Sequence, residues 1–237
     1  MNTPIPKLQD SGRIQNEKAS YKFSYSLCML KRVYVATSNQ GKLRDFGTAA
    51  GIHRIEVLPI PTLSAIPPPA ETGDSFEANA RLKAEYYSHH ARGELVLADD
   101  SGLTLDALDG EPGVRSARYA AGHEFSSVHA QDEANNRLVL ARMQDVPDAR
   151  RGAAFVCVIA VAKDGTTRAA FHGEVRGRLL QAPRGQNGFG YDPLFFFPEM
   201  RRSFAELTDR EKFSVSHRGR AFEKFLTWFQ ETMAAVI

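Results

Sequence analysis

A short apolar run that leads into two adjacent carboxylates is the strongest constraint on how this chain folds. Residues 95–98 read Leu-Val-Leu-Ala without alternation, which is typical of a strand buried on both faces of a sheet. Asp99, Asp100 and Ser101 follow directly. We therefore predict that the strand ends at Ala98 and that the acids lie outside its carboxyl end, where open α/β sheets bind their ligands.

Two neighbouring carboxylates need a positive partner, because like charges that are close together repel. A hard cation such as Mg²⁺ meets this need, since it prefers carboxylate oxygen and shares its coordination shell with substrate phosphates. The alternative is a turn in which the Asp and Ser side chains bind only local backbone N–H groups. This segment by itself leaves both interpretations open.

Composition and charge narrow the class of protein. The 237 residues are 43% hydrophobic and 24% charged, as in an ordinary globular chain, and the formal net charge of +2 favours neither nucleic acid nor a membrane as partner. Cys28 and Cys157 show no disulfide or zinc spacing, so we expect a cytoplasmic protein. Residues 1–28 are polar and aperiodic, which predicts a flexible extension before a domain that spans residues 29–237.

A polar loop near the start of this domain has the pattern of an anion site. Residues 32–36 are predicted to form a strand, and the loop of residues 37–42, Thr-Ser-Asn-Gln-Gly-Lys, leads into a predicted helix. In such an arrangement the backbone N–H groups and the helix N-terminus face a phosphate, and Lys42 adds charge. Because the loop is not a Walker A sequence, a simple capped helix start is the alternative.

The next predicted helix brings a lysine towards the acidic pair. We expect Asp74 to cap this helix with Glu77 as its capping partner, ahead of an apolar stripe made of Phe76, Ala80, Ala84 and Tyr87. Asn79 and Lys83 flank the stripe one turn apart and so face inward at its edge. A lysine at a core margin usually extends to water; Lys83 can equally reach a phosphate near Asp100.

The second half of the chain predicts a helix, a hairpin, a glycine-rich loop and a final helix. Residues 131–143 suit a helix with Leu138, Ala141 and Arg142 along one side, and residues 153–162 and 167–175 suit an antiparallel hairpin in a second lobe. Residues 184–193 combine glycines, which let backbone approach a ligand, with two aromatic residues predicted to be exposed for base stacking. A plain loop is the alternative. The final helix has an apolar stripe of Ala221, Phe222, Phe225, Leu226 and Phe229.

These features together describe a nucleoside triphosphate site, and the sequence resembles the inosine/xanthosine triphosphate pyrophosphatases, which remove aberrant purine nucleotides. Six motifs occur in that family's order from about residue 33 onward: residues 36–42, 71–76 with 79–80, 98–103, 110–118, 188–193, and 211–212 with 216–218. The chain departs from the family where Ser38 replaces Gly, Ala78 replaces Glu and Phe213 replaces Asn. Affinity or base preference can therefore differ.

The resemblance implies a fold, a reaction and partners. The fold is α/β and two-lobed, with an elongated mixed sheet flanked by helices and a nucleotide cleft between the lobes. The reaction is Mg²⁺-dependent hydrolysis of a purine nucleoside triphosphate to the monophosphate and pyrophosphate, and the protein is expected to be a homodimer that binds neither nucleic acid nor membrane.

The resemblance also implies roles for individual residues. Asp100 is expected to be the general base and, with Glu71, to hold the metal, while Asp99 is expected to position a ligand or a lysine. The phosphates and sugar are expected to contact Thr37, Ser38, Asn39, Gln40, Gly41, Lys42, Lys83 and Ser101. The base is expected to contact Phe189, Gly190, Tyr191, Asp192, Lys212, His217 and Arg218.

Three other functions fit parts of the pattern. One is a pyrophosphatase for modified pyrimidine nucleotides or dUTP, and another is a sensor that binds a nucleotide without hydrolysing it. The retained acidic pair argues against the sensor, because unpaired acids without metal chemistry are costly to bury. A nucleic-acid binder is disfavoured by the balanced charge and the lack of a basic stripe.

Overall fold

A computed structural model describes residues 31–120, 122 and 125–234, except for the side chains of residues 48 and 52. These residues form strands and α-helices in alternation along the first half of the chain, followed by antiparallel strands. In chain order they are β1 (Lys31–Val35), α1 (Gln40–Ile52), β2 (Ile55–Pro59), α2 (Phe76–Ser88), β3 (Val96–Leu105), α3 (Val128–Arg142), β4 (Gly152–Lys163), β5 (Thr166–Leu179), β6 (Phe195–Phe197), β7 (Arg202–Ser203), α4 (Asp209–Val215) and α5 (His217–Ala234). The predicted extension lies outside the described residues, so the domain boundary stays a prediction.

The described strands form one open, mixed sheet in the order β2-β1-β3-β4-β5-β6-β7. β1 and β3 are parallel, as a crossover through a helix requires, and the pairs from β3 to β7 are antiparallel. The predicted hairpin is confirmed as β4 and β5, which turn at Asp164 and Gly165. The predicted elongated mixed sheet flanked by helices is thereby confirmed.

The prediction that the central strand ends at Ala98 is wrong. β3 continues through both acids to Leu105, because β4 pairs with it at every position from Val96 to Leu105. Backbone pairing does not depend on the side chain, so a strand accommodates charged residues wherever counter-charges are supplied. The acids therefore lie in the middle of the strand and not beyond its end.

Helices cover both faces of the sheet and create two hydrophobic cores on one of them. α2 packs its small residues Ala80 and Ala84 against Ala98 and Ala160 on one face. On the opposite face, α1 and α5 form a first core that includes Leu97, Phe46, Phe222 and Phe225. A second core lies further along the same strands and includes Leu103, Phe155, Phe195 and Phe204. Each of these two cores is the centre of one lobe, and Asp99 and Ser101 lie between them.

The predicted helices are present, but one of them begins with a different cap. The stripe of α5 is confirmed, since all five of its predicted residues are buried. Ser75 and not Asp74 caps α2, because the Ser75 hydroxyl accepts the Ala78 N–H at 3.2 Å while Glu77 pairs with Arg81 at the next turn. The predicted helix over residues 131–143 is confirmed as α3, and its buried residues are Asn135 and Val139.

No helix among the described residues combines the length and apolar character that crossing a membrane requires.

A buried arginine ties α3 to the end of β5. The Arg151 side chain is only 2% exposed and donates to four backbone carbonyl oxygens, those of Met143 at 2.6 Å, Val146 at 3.3 Å, Leu179 at 3.0 Å and Leu180 at 3.0 Å. These carbonyls lie just after α3, in the turn that follows it and at the end of β5, where regular helix and strand bonding stops. Arg151 thus satisfies several chain ends with one side chain.

We expect Arg151→Met to lower the free energy of unfolding by about 2–4 kcal/mol, because it leaves buried carbonyl groups unsatisfied. Urea unfolding followed by circular dichroism measures this. The adjacent Arg150 is exposed, so Arg150→Met is the matched control and is expected to change stability by no more than about 0.5 kcal/mol. Equal effects of the two substitutions would show that the four bonds contribute nothing.

Candidate active site

Adjacent residues of a strand point to opposite faces, so the two acids of β3 enter two different environments. Asp99 and Ser101 face α1 and α5, whereas Asp100 faces α2, as their contacts show. The sequence prediction treated the acids as one pair that needs one cation. The structure instead gives each acid its own cationic partners.

Asp99 is at the centre of a buried charge network. Its carboxylate accepts two hydrogen bonds from Lys42 Nζ, at 2.9 and 2.8 Å, and one from the Ser101 hydroxyl at 3.2 Å. Arg218 Nε lies 3.7 Å from the same carboxylate, and its Nη1 lies 3.5 Å from Asp45 Oδ2. The Asp99 and Arg218 side chains are 2% and 4% exposed, so these charges neutralise one another away from water.

The surroundings keep Asp99 ionised. Burial raises the pKa of Asp99, but attraction to Lys42, Arg218 and Lys83 outweighs burial and holds the pKa well below its usual range. With its oxygens engaged by Lys42 and Ser101, Asp99 positions cationic groups. This agrees with its expected role beside a lysine.

Asp100 belongs to a second cluster on the α2 side of the sheet, together with Glu71, Lys83 and Arg118. Lys83 Nζ donates to Asp100 Oδ1 at 2.6 Å and to Glu71 Oε1 at 2.9 Å, and so joins the two carboxylates. Arg118 Nη1 donates to the other Glu71 oxygen at 2.6 Å. The predicted inward orientation of Lys83 is confirmed, and its partners are carboxylates.

The protonation preferences within this cluster differ. Burial raises the pKa of Asp100, and the Lys83 ammonium offsets only part of that effect, so Asp100 is a stronger base than an exposed aspartate. Burial also acts on Glu71, but Lys83 and Arg118 prevail and lower its pKa. Burial lowers the pKa of Lys83, whereas Asp100 and Asp99 raise it to a net value above the usual range, which keeps the ammonium charged.

The donor set of this cluster fits a hard divalent cation. Glu71 and Asp100 converge on one positive group, and Mg²⁺ typically uses one or two carboxylates and completes its shell with water and substrate phosphates. In the described part of the chain no three His, Cys, Asp or Glu side chains converge, so a complete protein cage is not preformed there. Two carboxylates with open positions suit a metal shared with a phosphorylated ligand.

A cavity of about 270 Å³ lies beside β3 on the Asp99 side. β1 pairs with β3 only at Val96 and Leu97, and beyond that point the described residues 98–102 have a strand neighbour on the β4 side alone. The open edge of β3 therefore forms one wall of the cavity. A ligand that lies across this edge can reach both carboxylate environments.

The glycine-rich loop brings an aromatic ring over the cations of the cavity. The Phe189 ring centroid lies 4.8 Å from Lys212 Nζ and 5.5 Å from the Arg218 guanidinium carbon. Asp192 Oδ2 accepts from Lys212 Nζ and from the Phe189 N–H, each at 3.0 Å. A Cβ at residue 41 would lie 3.1 Å from Phe189 Cε1, so Gly41 permits this ring to approach α1.

His217 lies in the cavity wall as a neutral ring. It is 6% exposed and stacks on Phe155 with the ring centroids 4.8 Å apart, and its Nδ1 atom has no hydrogen-bond partner among the described residues. Burial lowers the pKa of His217 well below 6.5, and the neighbouring Arg218 charge acts in the same direction. A buried nitrogen without a partner at the start of α5 is available to a ligand.

The structure brings most predicted site residues together. Ten of them line the cavity: Asn39, Lys42, Ser101, Phe189, Gly190, Tyr191, Asp192, Lys212, His217 and Arg218. Glu71, Lys83 and Asp100 form the cluster on the other face. Thr37 and Asn39 shape the start of α1, since Thr37 Oγ1 accepts the Asn39 N–H and Asn39 caps the helix. The remaining three, Ser38, Gln40 and Gly41, lie in the same loop and first turn, outside the cavity lining.

One predicted feature of the loop is wrong. Tyr191 is buried and not exposed, with 5% of its surface accessible, because its ring packs in the second core and its hydroxyl donates to the Ser116 carbonyl at 2.8 Å. Of the two aromatic residues in this loop, Phe189 alone is partly exposed. The predicted stacking surface therefore belongs to Phe189.

Several residues of the site were not among the predicted ones. Asp45 pairs with Arg218, and Arg118 binds Glu71. Gln131 and Asp132 of α3 line the cavity. Asp132, Asn135 and Asn136 recur at helical spacing, and this polar stripe is a sequence signal that could have indicated them. Asp45 had no such signal, because a single acid on a helix usually faces water.

The fold and the cavity define a class of protein: an open α/β sheet with a cationic, aromatic-lined cleft next to two carboxylates that can share a metal. The model of the Ham1 family matches residues 33–228, and this chain belongs to that family.

Named relatives and solved structures agree with this assignment. The chain is 50% identical over 200 residues to the dITP/XTP pyrophosphatase of Acidobacterium capsulatum. The matched region covers 84% of this chain and 98% of the relative. It is 44% identical to the enzyme of the same name from Frankia alni, over 86% of this chain and 100% of the relative. A solved Ham1 protein from Coxiella burnetii superposes with a TM-score of 0.73 at 37% identity, over 85% of this chain and 99% of that one.

We expect the stability of the protein to fall as the pH drops below about 6.5, because the unfolded chain binds a proton at His217 and the folded protein does not. The folded-state pKa is depressed, so the stabilising contribution is present above the unfolded pKa and declines below it, by up to about 1.4 kcal/mol per pH unit. Urea unfolding at about pH 7.5, 6.5 and 5.5 measures this slope.

His217→Gln is expected to remove this component of the slope, whatever its effect on absolute stability. His172→Gln, at an exposed position, is the control and is expected to keep the wild-type slope. Identical slopes for wild type and His217→Gln would show that His217 takes up its proton equally in both states.

Proposed function

We propose that this protein hydrolyses aberrant purine nucleoside triphosphates (ITP, dITP and XTP) to the monophosphate and pyrophosphate. The observation that carries the proposal is the Glu71–Lys83–Asp100 cluster, which lies across the open edge of β3 from a cavity walled by cations and an aromatic ring. A triphosphate attached to a base needs both halves of that arrangement. The dITP/XTP pyrophosphatase names of relatives at 50% and 44% identity support the same reaction.

In the proposed reaction a water molecule attacks the α-phosphorus. Asp100 accepts a proton from that water as the new phosphorus–oxygen bond forms, and its raised pKa makes it a suitable base. The bond between the α-phosphorus and the oxygen that bridges to the β-phosphorus breaks, and pyrophosphate leaves with the electron pair. The hydroxyl group of the water becomes part of the monophosphate and its other proton passes to Asp100, so atoms and charge balance.

Cationic groups stabilise the negative charge that develops on the leaving pyrophosphate. Lys42 and Lys83 approach the open edge of β3 from opposite faces, and Ser101 offers a hydroxyl on the Lys42 side. Glu71 and Asp100 would hold Mg²⁺, which in such sites polarises phosphate oxygens and lowers the pKa of bound water. The loop from Thr37 to Lys42 supplies the helix N-terminus towards the phosphates.

The base occupies the cavity in this proposal. The Phe189 ring offers it an apolar face, and Lys212, His217 and Arg218 surround it with polar groups. Inosine and xanthosine carry an acceptor oxygen at position 6, where adenine carries an amino donor. Donors in the cavity therefore leave the adenine amino group unpaired, at a cost of about 1–3 kcal/mol per group.

Three further attributes belong to the proposal and follow the resemblance. Mg²⁺ is the proposed metal, the protein is a homodimer, and it acts in the cytoplasm on the free nucleotide pool. The family membership and the two-carboxylate donor set support the metal.

We expect ITP, dITP and XTP to yield the monophosphate and pyrophosphate in the presence of Mg²⁺, with ATP hydrolysed about ten- to a hundredfold less efficiently. Product analysis by ion-exchange chromatography on a nucleotide panel that includes GTP, dUTP and modified pyrimidine triphosphates measures this. Preference for dUTP would identify the pyrimidine enzyme, and tight binding without turnover would identify a sensor. Release of orthophosphate would contradict attack at the α-phosphorus.

We expect Asp100→Asn to lower kcat by at least about 10²–10⁴-fold with little change in melting temperature, because the amide keeps the shape but cannot accept the proton. Pyrophosphate release at saturating Mg²⁺ measures the effect. The same substitution at the neighbouring residue is the comparison: Asp99→Asn leaves Lys42 and Arg218 without their buried counter-charge and is expected to lower stability by about 3–5 kcal/mol. Wild-type turnover in Asp100→Asn would place the base elsewhere.

A further inference from the structure

Most residues of helix α3 are at least partly exposed, and the side of the helix that faces the cavity carries a polar stripe. Asp132, Asn135 and Asn136 lie on consecutive turns of this helix, and Asn135 is 2% exposed. Buried amide groups are costly unless they are hydrogen-bonded, so the hydrogen-bond partners of these side chains show which segments the stripe holds in place. The partners belong to two different walls of the cavity.

Asp132 and Asn136 both bind the backbone of Gly190, in the glycine-rich loop of residues 184–193 that carries Phe189 and is called the aromatic loop below. Asp132 Oδ2 accepts the N–H of Gly190 at 2.9 Å, and Asn136 Nδ2 donates to the Gly190 carbonyl at 3.0 Å. Gly190 has φ +60°, in the left-handed region that glycine adopts freely. A glycine permits this conformation and many others, so the two side chains of α3 select it.

The position of Phe189 depends on that selection, since it immediately precedes Gly190. The Phe189 ring lies beside Gly41 and covers the cationic groups of Lys212 and Arg218. Its own N–H is bound by Asp192 at 3.0 Å. Rotation about the Gly190 backbone would move the ring away from these cations, so the two bonds of α3 fix the surface on which a base stacks.

Asn135 fixes the opposite wall from the same turn of the helix. Its Oδ1 accepts the Ala120 N–H at 2.8 Å, and its Nδ2 donates to the Ala117 carbonyl at 3.1 Å. Ala117 lines the cavity, and the adjacent Arg118 binds Glu71. One turn of α3 therefore braces both the aromatic loop and the segment that reaches the carboxylate cluster.

We propose that Asp132 and Asn136 are positioning residues for substrate binding, which act by hydrogen bonding the Gly190 peptide and thereby holding Phe189 in place. Asp132 acts as an acceptor and not as a charge. This inference rests on the proposed nucleotide hydrolysis for its kinetic consequences, whereas its structural consequence, protection of the Gly190 amide, does not.

The test compares Asp132→Ala, Asp132→Asn and Asn136→Ala in the full chain, with Glu133→Ala on the same helix as control. Amide hydrogen exchange is followed for the segment around Gly190, and pyrophosphate release is followed as a function of ITP concentration. Asp132→Ala is expected to accelerate exchange at Gly190 and to raise KM for ITP, each about tenfold, with kcat within about twofold of wild type.

Asp132→Asn is expected to restore both values to within about twofold of wild type, because its amide oxygen can accept the same N–H. Asn136→Ala is expected to resemble Asp132→Ala and carries the test if that variant does not fold. Glu133 is exposed and its ion pairs, with His129 and Arg137, lie within α3, so its removal is expected to change neither value.

Two results would overturn the proposal. If Asp132→Asn is as impaired as Asp132→Ala, the carboxylate charge acts directly on the ligand. If neither Asp132→Ala nor Asn136→Ala changes exchange at Gly190, the loop is held by other contacts. A wild-type protein that releases no pyrophosphate from any nucleotide refutes the proposed function alone, because the exchange measurements still decide whether Asp132 and Asn136 hold the Gly190 peptide.

Discussion

The placement of two acids in the middle of a buried strand is the constraint on which the rest of this structure depends. Asp99 and Asp100 point to opposite faces of the sheet, so each face must supply cations. α1 and α5 bring Lys42 and Arg218 to one side, and α2 brings Lys83 to the other. The helices that cover the sheet are therefore also the elements that complete the site.

The two hydrophobic cores explain why the site stays open while the fold stays rigid. The first core ends at Leu97 and the second begins at Leu103 on the same face of β3, and the charged residues occupy the interval. β4 and β5 run along both cores and join the lobes by continuous backbone pairing. A cleft between two packed lobes on shared strands can hold a ligand without exposing either core.

Elements with strong local patterns were predictable from the sequence. The stripe of α5, the hairpin of β4 and β5, and the inward orientation of Asn79 and Lys83 follow from periodicity, which reports the buried face of an isolated element. The end of β3 was not predictable in this way. Pairing with β4 extends the strand through the acids, and pairing is a non-local interaction that the residues around Ala98 do not encode.

By itself the sequence determined the longer helices and strands, their order and the residue types that meet at the site, because hydrophobic periodicity and motif order are local properties of the chain. Tertiary structure alone decided which charges neutralise one another. Lys42 binds Asp99 across 57 positions of sequence, and Arg218 reaches Ser101 across 117. It also decided that Tyr191 is buried while Phe189 faces the cavity, because the second core takes one ring of the loop and the cations of α4 and α5 take the other.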